Sequence, residues 1–292
     1  MANTVVRIGS QCVGDGHPPF LIAEIGINHN GDLSVAKKLI DGAFATNWHC
    51  VKFQKRTPAL CVPERQKAEL RDTPWGRITY LEYRHKVEFG SKEYDYIDHY
   101  CGEKPILWSA SAWDIPSVDF LLSYNVPFIK LPSAKLTDTK LVKYAAGTGR
   151  PVILSTGMST IAEIDEAVEC LEAHTTGDYI LMHTNSTYPT PPQEINIRML
   201  HTLKQRYRCV VGYSGHEYGL EPSVVAVILG ACVLERHITL SHEMWGSDHF
   251  ASLEVHAMDL LQKRIRSVTV ILGDGEKRLT ENELQVRKRL RG

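Results

Sequence analysis

The residues best suited to chemistry in this chain stand where short apolar runs end. "VVGYSGHEYG", residues 210–219, carries His216 in a Ser-Gly turn, and "CVLERHITL", residues 232–240, carries His237 behind a Glu-Arg pair. Neutral imidazole is a good ligand for zinc, manganese, iron or cobalt, and two histidines on adjacent strands can reach one ion. Two ligands do not complete a site, so water, a substrate oxygen or a carboxylate such as Glu24 or Asp248 must fill it. The alternative is that each histidine hydrogen-bonds in place or serves as an acid or base.

Lys52 in "VKFQ" and Lys130 in "IKLP" interrupt runs that are otherwise apolar. A lysine in such a place is costly unless an anion meets it. Ser111, Ser133, Ser155 and Ser214 end neighbouring runs and add small hydroxyl donors. Together these groups suit a compact, multiply charged anion, such as a phosphate ester that also carries a carboxylate. An internal ion pair, for instance Lys52 with Glu24, is the other reading. "LSTGMST", residues 154–160, ends a strand in Gly157 and opens a helix at Ser159, where backbone N–H groups suit phosphate. "STYPTPPQ", residues 186–193, is a proline-fixed loop that carries Tyr188 over the same region, or simply packs it.

These residues need a scaffold that brings strand ends together. The runs are Leu21–Ile27, Cys50–Gln54, Ile106–Ser111, Phe128–Pro132, Val152–Gly157, Tyr179–Thr184, Val210–Gly215 and Cys232–Thr239, with helical stretches between them. Asp32, Asp114 and Ser159 sit where helix N-caps belong. Strands alternating with helices demand a parallel sheet covered by helices. Eight units favour a closed (β/α)8 barrel over an open sheet, and such a barrel builds its active site from the C-terminal ends of its strands. Glu24, Lys52, Gln54, Ser111, Lys130, Ser133, Ser155, His183, Ser214, His216 and His237 all fall at that rim.

The 292 residues suit a single barrel of about 250 residues with short additions. Residues 1–18 read as an N-terminal hairpin capping the barrel, 19–275 as the barrel and 276–292 as a short tail that is helical or frayed. Residues 55–76, with three prolines, read as a long loop after the second strand. A formal net charge of -1 argues against nucleic acid or an acidic membrane as partner. Seven scattered cysteines without a CxxC pair suit a reduced, cytoplasmic setting. The N-terminus does not read as a signal peptide, and no run approaches the roughly 20 apolar residues that span a bilayer.

"IAEIGINHNGDLSVAKKLID", "VKFQKRTP", "WDIPSVDFL", "ILSTGMST", "GYSGHE" and "LERHITL" resemble, in order and spacing, the sialic acid synthase family, the phosphoenolpyruvate-dependent N-acetylneuraminate synthases and their nonulosonate relatives. The resemblance covers about residues 5–272 and implies a (β/α)8 barrel. It implies condensation of phosphoenolpyruvate with the open-chain aldehyde of a hexose, N-acetylmannosamine or its 6-phosphate, to give a keto acid three carbons longer, with phosphate leaving by C–O cleavage. His216 and His237 then look like ligands of a divalent metal, Mn2+ or Mg2+, with Glu24 beside it. Lys52, Ser111, Lys130, Ser133, Ser155, Ser186 and Ser214 resemble the phosphoenolpyruvate cradle. Gln54, Tyr188 and Asp248 resemble sugar contacts. A homodimer is expected on the same basis.

The departures lie on the sugar side. These 292 residues hold no counterpart of the C-terminal antifreeze-like domain, whose arginine reads the substrate in many members. "PSAK" puts Lys135 where a glutamate is usual, "SASAW" replaces a Ser/Thr-Pro-Phe turn, and "MWGSDH" replaces a Pro-Gly-Pro-Asp run. Lys135 suggests an acceptor bearing a negative group, such as a sugar phosphate; pairing with Asp138 or solvent is the alternative. Three rivals stand beside the family reading. One is a keto-deoxy sugar acid synthase acting on mannose 6-phosphate or a pentose phosphate, as in the octulosonate phosphate synthases. Another is a barrel that binds sugar phosphate without catalysis. The third, a metal-dependent aldolase without phosphoenolpyruvate, leaves Lys52 and Lys130 unexplained.

Overall fold

A computed structural model describes residues 5–175 and 178–291. Residues 1–4 of the expected hairpin segment and residue 292 of the tail lie outside them. The chain opens with β1 (Val5–Ile8) and β2 (Gln11–Gly14), an antiparallel hairpin. β3 (Phe20–Gly26), α1 (Leu33–Ala45) and β4 (Cys50–Lys55) begin the barrel. The segment after β4 is not a bare loop: it folds into α2 (Pro58–Cys61), α3 (Glu64–Lys67) and the hairpin β5 (Leu70–Thr73) with β6 (Gly76–Thr79). Then follow α4 (Tyr80–Val87), α5 (Ser91–Glu103), β7 (Leu107–Ala112), α6 (Ile115–Ser123), β8 (Ile129–Leu131) and α7 (Thr139–Ala146). The second half runs β9 (Val152–Ser155), α8 (Ile161–His174), β10 (Tyr179–Thr184), α9 (Met199–Tyr207), β11 (Val210–Gly215), α10 (Glu221–Ile228) and β12 (Val233–Thr239). β13 (Leu253–Glu254), α11 (Val255–Leu272) and α12 (Glu281–Arg291) complete the chain.

Eight parallel strands, β3, β4 and β7–β12, pair in chain order, and β12 pairs with both β11 and β3 to close the ring. The protein is a (β/α)8 barrel. Side chains alternate along each strand, so the apolar residues separate into two cores. Leu21, Val51, Trp108, Ile129, Leu154 and Val211 face outward and pack under the helices. Phe20, Cys50, Phe128, Ile153, Met182 and Val233 face inward, where Val6, Ile8 and Val13 of the first hairpin join them. The hairpin therefore plugs the barrel bottom, and the inward positions above that floor are left for polar groups. Gly212 is needed in this interior, since a Cβ there would lie 2.7 Å from the Val233 carbonyl oxygen.

Caps start the helices that flank the rim. Asp32 accepts from the Ser34 N–H at 2.7 Å. Asp114 accepts from the Ser117 N–H at 2.8 Å and from the Thr57 N–H at 2.6 Å, tying the loop after β4 to the start of α6. The cap of α8 is Thr160, not the expected Ser159: Thr160 and Glu163 form a reciprocal capping box. Ser159 instead donates to the Gly157 carbonyl. α12 is exposed throughout. Among the described residues, no helix is long and apolar enough to cross a membrane.

Candidate active site

Pairing register explains why the polar strand ends meet. Glu24 lies opposite both His237 and Lys52, Ser111 opposite Gln54 and Lys130, and Ser214 opposite Thr184 and Glu235. These side chains surround a cavity of about 220 Å³ above the apolar floor. Twelve of the residues singled out by sequence line it: Glu24, Lys52, Gln54, Ser111, Lys130, Ser133, Ser155, Ser186, Tyr188, Ser214, His216 and His237. A larger cleft of about 490 Å³ adjoins it and shares Met158, Thr184 and Ser186.

The floor of the cavity is ionic. Lys52 Nζ sits 2.5 Å from Glu24 Oε2 and 3.5 Å from Glu235 Oε1, and donates to Ser111 Oγ at 2.8 Å. Lys130 Nζ donates to Ser155 Oγ at 2.5 Å and to the Leu131 carbonyl at 3.2 Å. Ser214 donates to Glu235 Oε1 at 3.3 Å, while Ser133 Oγ accepts from the Gly157 N–H at 3.0 Å. The internal Lys52–Glu24 pair is therefore present, but Lys130 has no carboxylate within ion-pair distance among the described residues.

Burial sets the charge states. It raises the Glu24 carboxyl to about 7, the pull of Lys52 offsetting only part of the effect. Burial also works against the Glu235 carboxylate, but Lys52 and Lys130 outweigh it and take that group down to about 2. Within this coupled pair Glu235 holds the charge and Glu24 is the group able to carry a proton. For Lys52, burial works downward, yet the two glutamates carry its ammonium above the ordinary lysine range. Lys130 goes the other way: burial lowers it to about 8 despite Glu235.

The two histidines are neutral and face one point. His216 Nδ1 is 2.6 Å from the Asn185 carbonyl, which can only accept, so Nδ1 carries the proton and Nε2 presents its lone pair. Burial, and then His237, lowers His216 to about 3. His237 is also lowered by burial, against the pull of Asp248. Tyr188 stacks on His216 with ring centres 4.0 Å apart, and its hydroxyl lies 2.8 Å from His216 Nε2 and 3.5 Å from His237 Nε2. The position of that hydroxyl marks where the two imidazoles converge. His237 Nδ1 is buried without a hydrogen-bond partner. Among the described residues no group of three or more histidine, cysteine, aspartate or glutamate side chains could hold a metal.

A second line of residues holds this arrangement from outside the barrel. Arg236 points away from the cavity and is buried. It pairs with Glu217 Oε1 at 3.1 Å and donates to the Glu217 carbonyl at 2.7 Å and to Ser223 Oγ at 2.8 Å. Tyr213 donates to the other Glu217 oxygen at 2.7 Å. The turn that carries His216 is thus bolted to the strand that carries His237. Gly26, at φ +58°, lets this side of the cavity close up: a Cβ there would lie 3.3 Å from His237 Cε1, 3.4 Å from Gln54 Nε2 and 3.4 Å from Glu24 Oε1.

Three expected site residues stand elsewhere. Lys135 does not line the cavity; it pairs with Asp138 at 3.1 Å, the alternative reading of that position. Asp248 does not line it either, although its charge acts on His237. His183 faces outward from β10, bonds the Ile195 carbonyl through Nε2 at 2.7 Å and borders only the neighbouring cleft. Glu235 is the residue that sequence reasoning missed. Its signal was available, since it precedes His237 by two positions and shares that face of the strand.

Comparison with known proteins agrees with this geometry. The model of the NeuB family matches residues 39–277. N-acetylneuraminate-9-phosphate synthase of Drosophila melanogaster is 40% identical over 249 residues, 84% of this chain and 67% of that protein. N,N'-diacetyllegionaminic acid synthase of Legionella pneumophila is 33% identical over 279 residues, covering 93% and 78% respectively. The solved structure of sialic acid synthetase from Leptospira borgpetersenii superposes with a TM-score of 0.87 at 30% identity, covering 99% of this chain and 98% of that one. The chain belongs to the NeuB family of sialic acid synthases. It is an enzyme, a transferase of the nonulosonate synthase class.

Proposed function

We propose that the enzyme condenses phosphoenolpyruvate with the open-chain aldehyde of a hexose of the N-acetylmannosamine kind, releasing phosphate and a keto acid three carbons longer. The observation that carries this reading is the pair of buried ammonium groups, Lys52 and Lys130, which share one cavity with serine hydroxyls and two neutral imidazoles. Burying a lysine costs several kcal/mol unless an anion compensates, and phosphoenolpyruvate brings both a phosphate and a carboxylate. The products named for the Drosophila and Legionella relatives support the same chemistry.

In the proposed reaction C3 of the enol attacks the aldehyde carbon and forms the new C–C bond. Positive charge develops at C2, water adds there, and the C2–O bond to phosphate breaks. The aldehyde oxygen ends as a hydroxyl with one proton of that water, and the departing phosphate carries the other. Lys52 and Lys130 hold the phosphate and carboxylate throughout, so developing charge meets a fixed field with no reorganisation. Glu24, titrating at about 7, takes the proton of the water that adds to C2. Ser111, Ser133, Ser155, Ser186 and Ser214 complete the donor's cradle, while Gln54 and Tyr188, with Asp248 beyond them, face the acceptor.

His216 and His237 would hold a divalent metal through their Nε2 atoms, and Mn2+ suits imidazole better than Mg2+, which favours oxygen ligands. When bound, such an ion supplies Lewis acidity at the aldehyde oxygen. Phosphate release from phosphoenolpyruvate with manganese, over a panel of N-acetylmannosamine, its 6-phosphate, mannose, mannose 6-phosphate and diacetamido hexoses, tests the reading. We expect turnover with one acceptor class, lost in His237→Ala and after chelation, and regained when manganese is returned. Turnover that survives chelation rules out the metal; no turnover with any acceptor rules out the condensation.

A further inference from the structure

One cavity-lining side chain carries a donor that nothing in the protein answers. Trp113 stands just past β7 and lines the cavity, and its indole Nε1 is buried without a hydrogen-bond partner. An indole N–H can only donate, and a buried one usually finds an acceptor because leaving it unmet is destabilising. The segment after β4 holds this residue in place. The Trp113 backbone N–H donates to the Lys55 carbonyl at 3.1 Å, and Asp114 accepts from the Thr57 N–H at 2.6 Å. The Arg56 guanidinium lies 4.3 Å from the centre of the Trp113 ring.

Arg56 also orients a second donor of this wall. Its Nη2 donates to Gln54 Oε1. A guanidinium has no acceptor, so the amide oxygen is the atom it meets and the amide nitrogen is turned the other way. That nitrogen faces the corner of Glu24 and His237: a Cβ on Gly26 would touch Gln54 Nε2, Glu24 Oε1 and His237 Cε1 alike, within 3.4 Å. Arg56 does not itself line the cavity, and it is only 5% exposed. Ion pairing accounts poorly for its burial. Among the described residues its carboxylate neighbour is Glu88 at 3.7 Å, and Glu88 Oε1 already accepts from Lys55 Nζ at 2.7 Å and from the Arg56 backbone N–H at 2.9 Å. Burial, and then the charge of Arg84, lowers the Arg56 pKa below the ordinary guanidinium value. The contacts that remain to its side chain are Gln54 and Trp113, both of which line the cavity.

We infer that Trp113 is a specificity-determining residue whose Nε1–H reads the carbonyl oxygen of an acylamino group on the acceptor sugar, with Arg56 as the positioning residue behind it. This inference rests on the proposed condensation. The wall presents N–H groups, so the group opposite must accept, and an amide carbonyl oxygen accepts without donating. An uncharged indole suits an uncharged partner, whereas the anionic groups of phosphoenolpyruvate are matched by the ammonium groups of Lys52 and Lys130. Register agrees. Lys52 lies opposite Ser109 and Lys130 opposite Ser111, while Trp113 stands two residues further along, on the mouth side of both lysines. A buried donor of this kind discriminates against a sugar that lacks its partner, because the donor is then left unmet.

The test compares N-acetylmannosamine with mannose, which lacks the acylamino group, using the manganese-loaded chain and thermal melts to verify folding. Where a sugar binds without reacting, its inhibition constant takes the place of KM. Trp113→Phe keeps the ring and removes only the N–H. It should lower the preference for N-acetylmannosamine about tenfold, through the acceptor KM and not through the KM for phosphoenolpyruvate. Arg56→Ala lowers the same preference, Arg56→Lys keeps part of it, and Arg56→Ala takes less from it once Trp113 is Phe. A preference that Trp113→Phe leaves in place overturns the assignment. So does an equal loss with both sugars, which would set the N–H against a hydroxyl they share. A raised KM for phosphoenolpyruvate would set it against the donor and overturns it too. If neither sugar reacts, the condensation fails, and calorimetry at saturating phosphoenolpyruvate decides the assignment separately. Tighter binding of N-acetylmannosamine that is lost in Trp113→Phe supports it; equal binding of the two sugars, or binding of neither, overturns it.

Discussion

Lys52, Lys130, Glu24 and Glu235 occupy strand ends whose neighbours are fixed by barrel register, and all four are buried. Arg56, Arg84, Trp75 and Trp245 belong instead to the segments that follow β4 and β12. The two tryptophans are 38% and 39% exposed, with ring centres 6.2 Å apart, and the Tyr83 ring lies 6.4 Å from that of Trp75 and 5.4 Å from that of Trp245. One wall is set by the backbone of the sheet and the other by loop side chains. A reaction whose donor never changes can be built into the first wall. Acceptor choice, which differs between the products named for the Drosophila and Legionella relatives, belongs to the second.

The contrast is broken most severely by removing charge from the donor wall. Lys130→Met is expected to lower kcat/KM for phosphoenolpyruvate about 1000-fold, since it leaves the incoming anion short of a buried cation. A loss under tenfold in steady-state kinetics would show that Lys130 does not hold the donor. Next comes the bolt behind the histidines. Arg236→Ala strands Glu217 in a buried site and should cost about 3–5 kcal/mol of stability in urea titration. A change below 1 kcal/mol would mean that the pair contributes nothing to holding the His216 turn.

pH sharpens the comparison more gently. Lys130 needs its proton to bind an anion, and burial lowers its pKa in the free enzyme to about 8. Below that value the ammonium form prevails; above it kcat/KM for phosphoenolpyruvate should fall about tenfold per pH unit. A profile flat to pH 9.5 would contradict the assignment. The smallest effect is expected on the loop wall: Trp245→Ala should raise the acceptor KM a few-fold, by roughly 1 kcal/mol of lost aromatic contact, while the KM for phosphoenolpyruvate stays put. Equal changes in both would erase the distinction between the walls.

The same division governs what could be read without coordinates. Lys52, Lys130, His216 and His237 stood out because a polar residue inside an apolar strand is conspicuous, and period two predicts where it points. Glu235 obeyed that period and was overlooked beside His237, while its neighbour Arg236 faces the helices. His183 shows the reverse error: it ends a strand like the others but sits on the outward register. Arg56 and Arg84 follow no periodic signal, since one lies just past β4 and the other on a short helix behind a hairpin. Lys135 looked available because its partner, Asp138, lies one turn along a segment whose helical geometry the sequence only partly specifies.

The most direct test of the central claim is the fate of the bridging oxygen in phosphoenolpyruvate. With that atom labelled as 18O, mass spectrometry of the products after turnover with the accepted hexose should find the label in the released phosphate, because water attacks C2 and the C2–O bond breaks. Label retained in the keto group of the sugar acid would mean that the P–O bond breaks instead, and the account of a donor wall built to stabilise charge at C2 would be wrong.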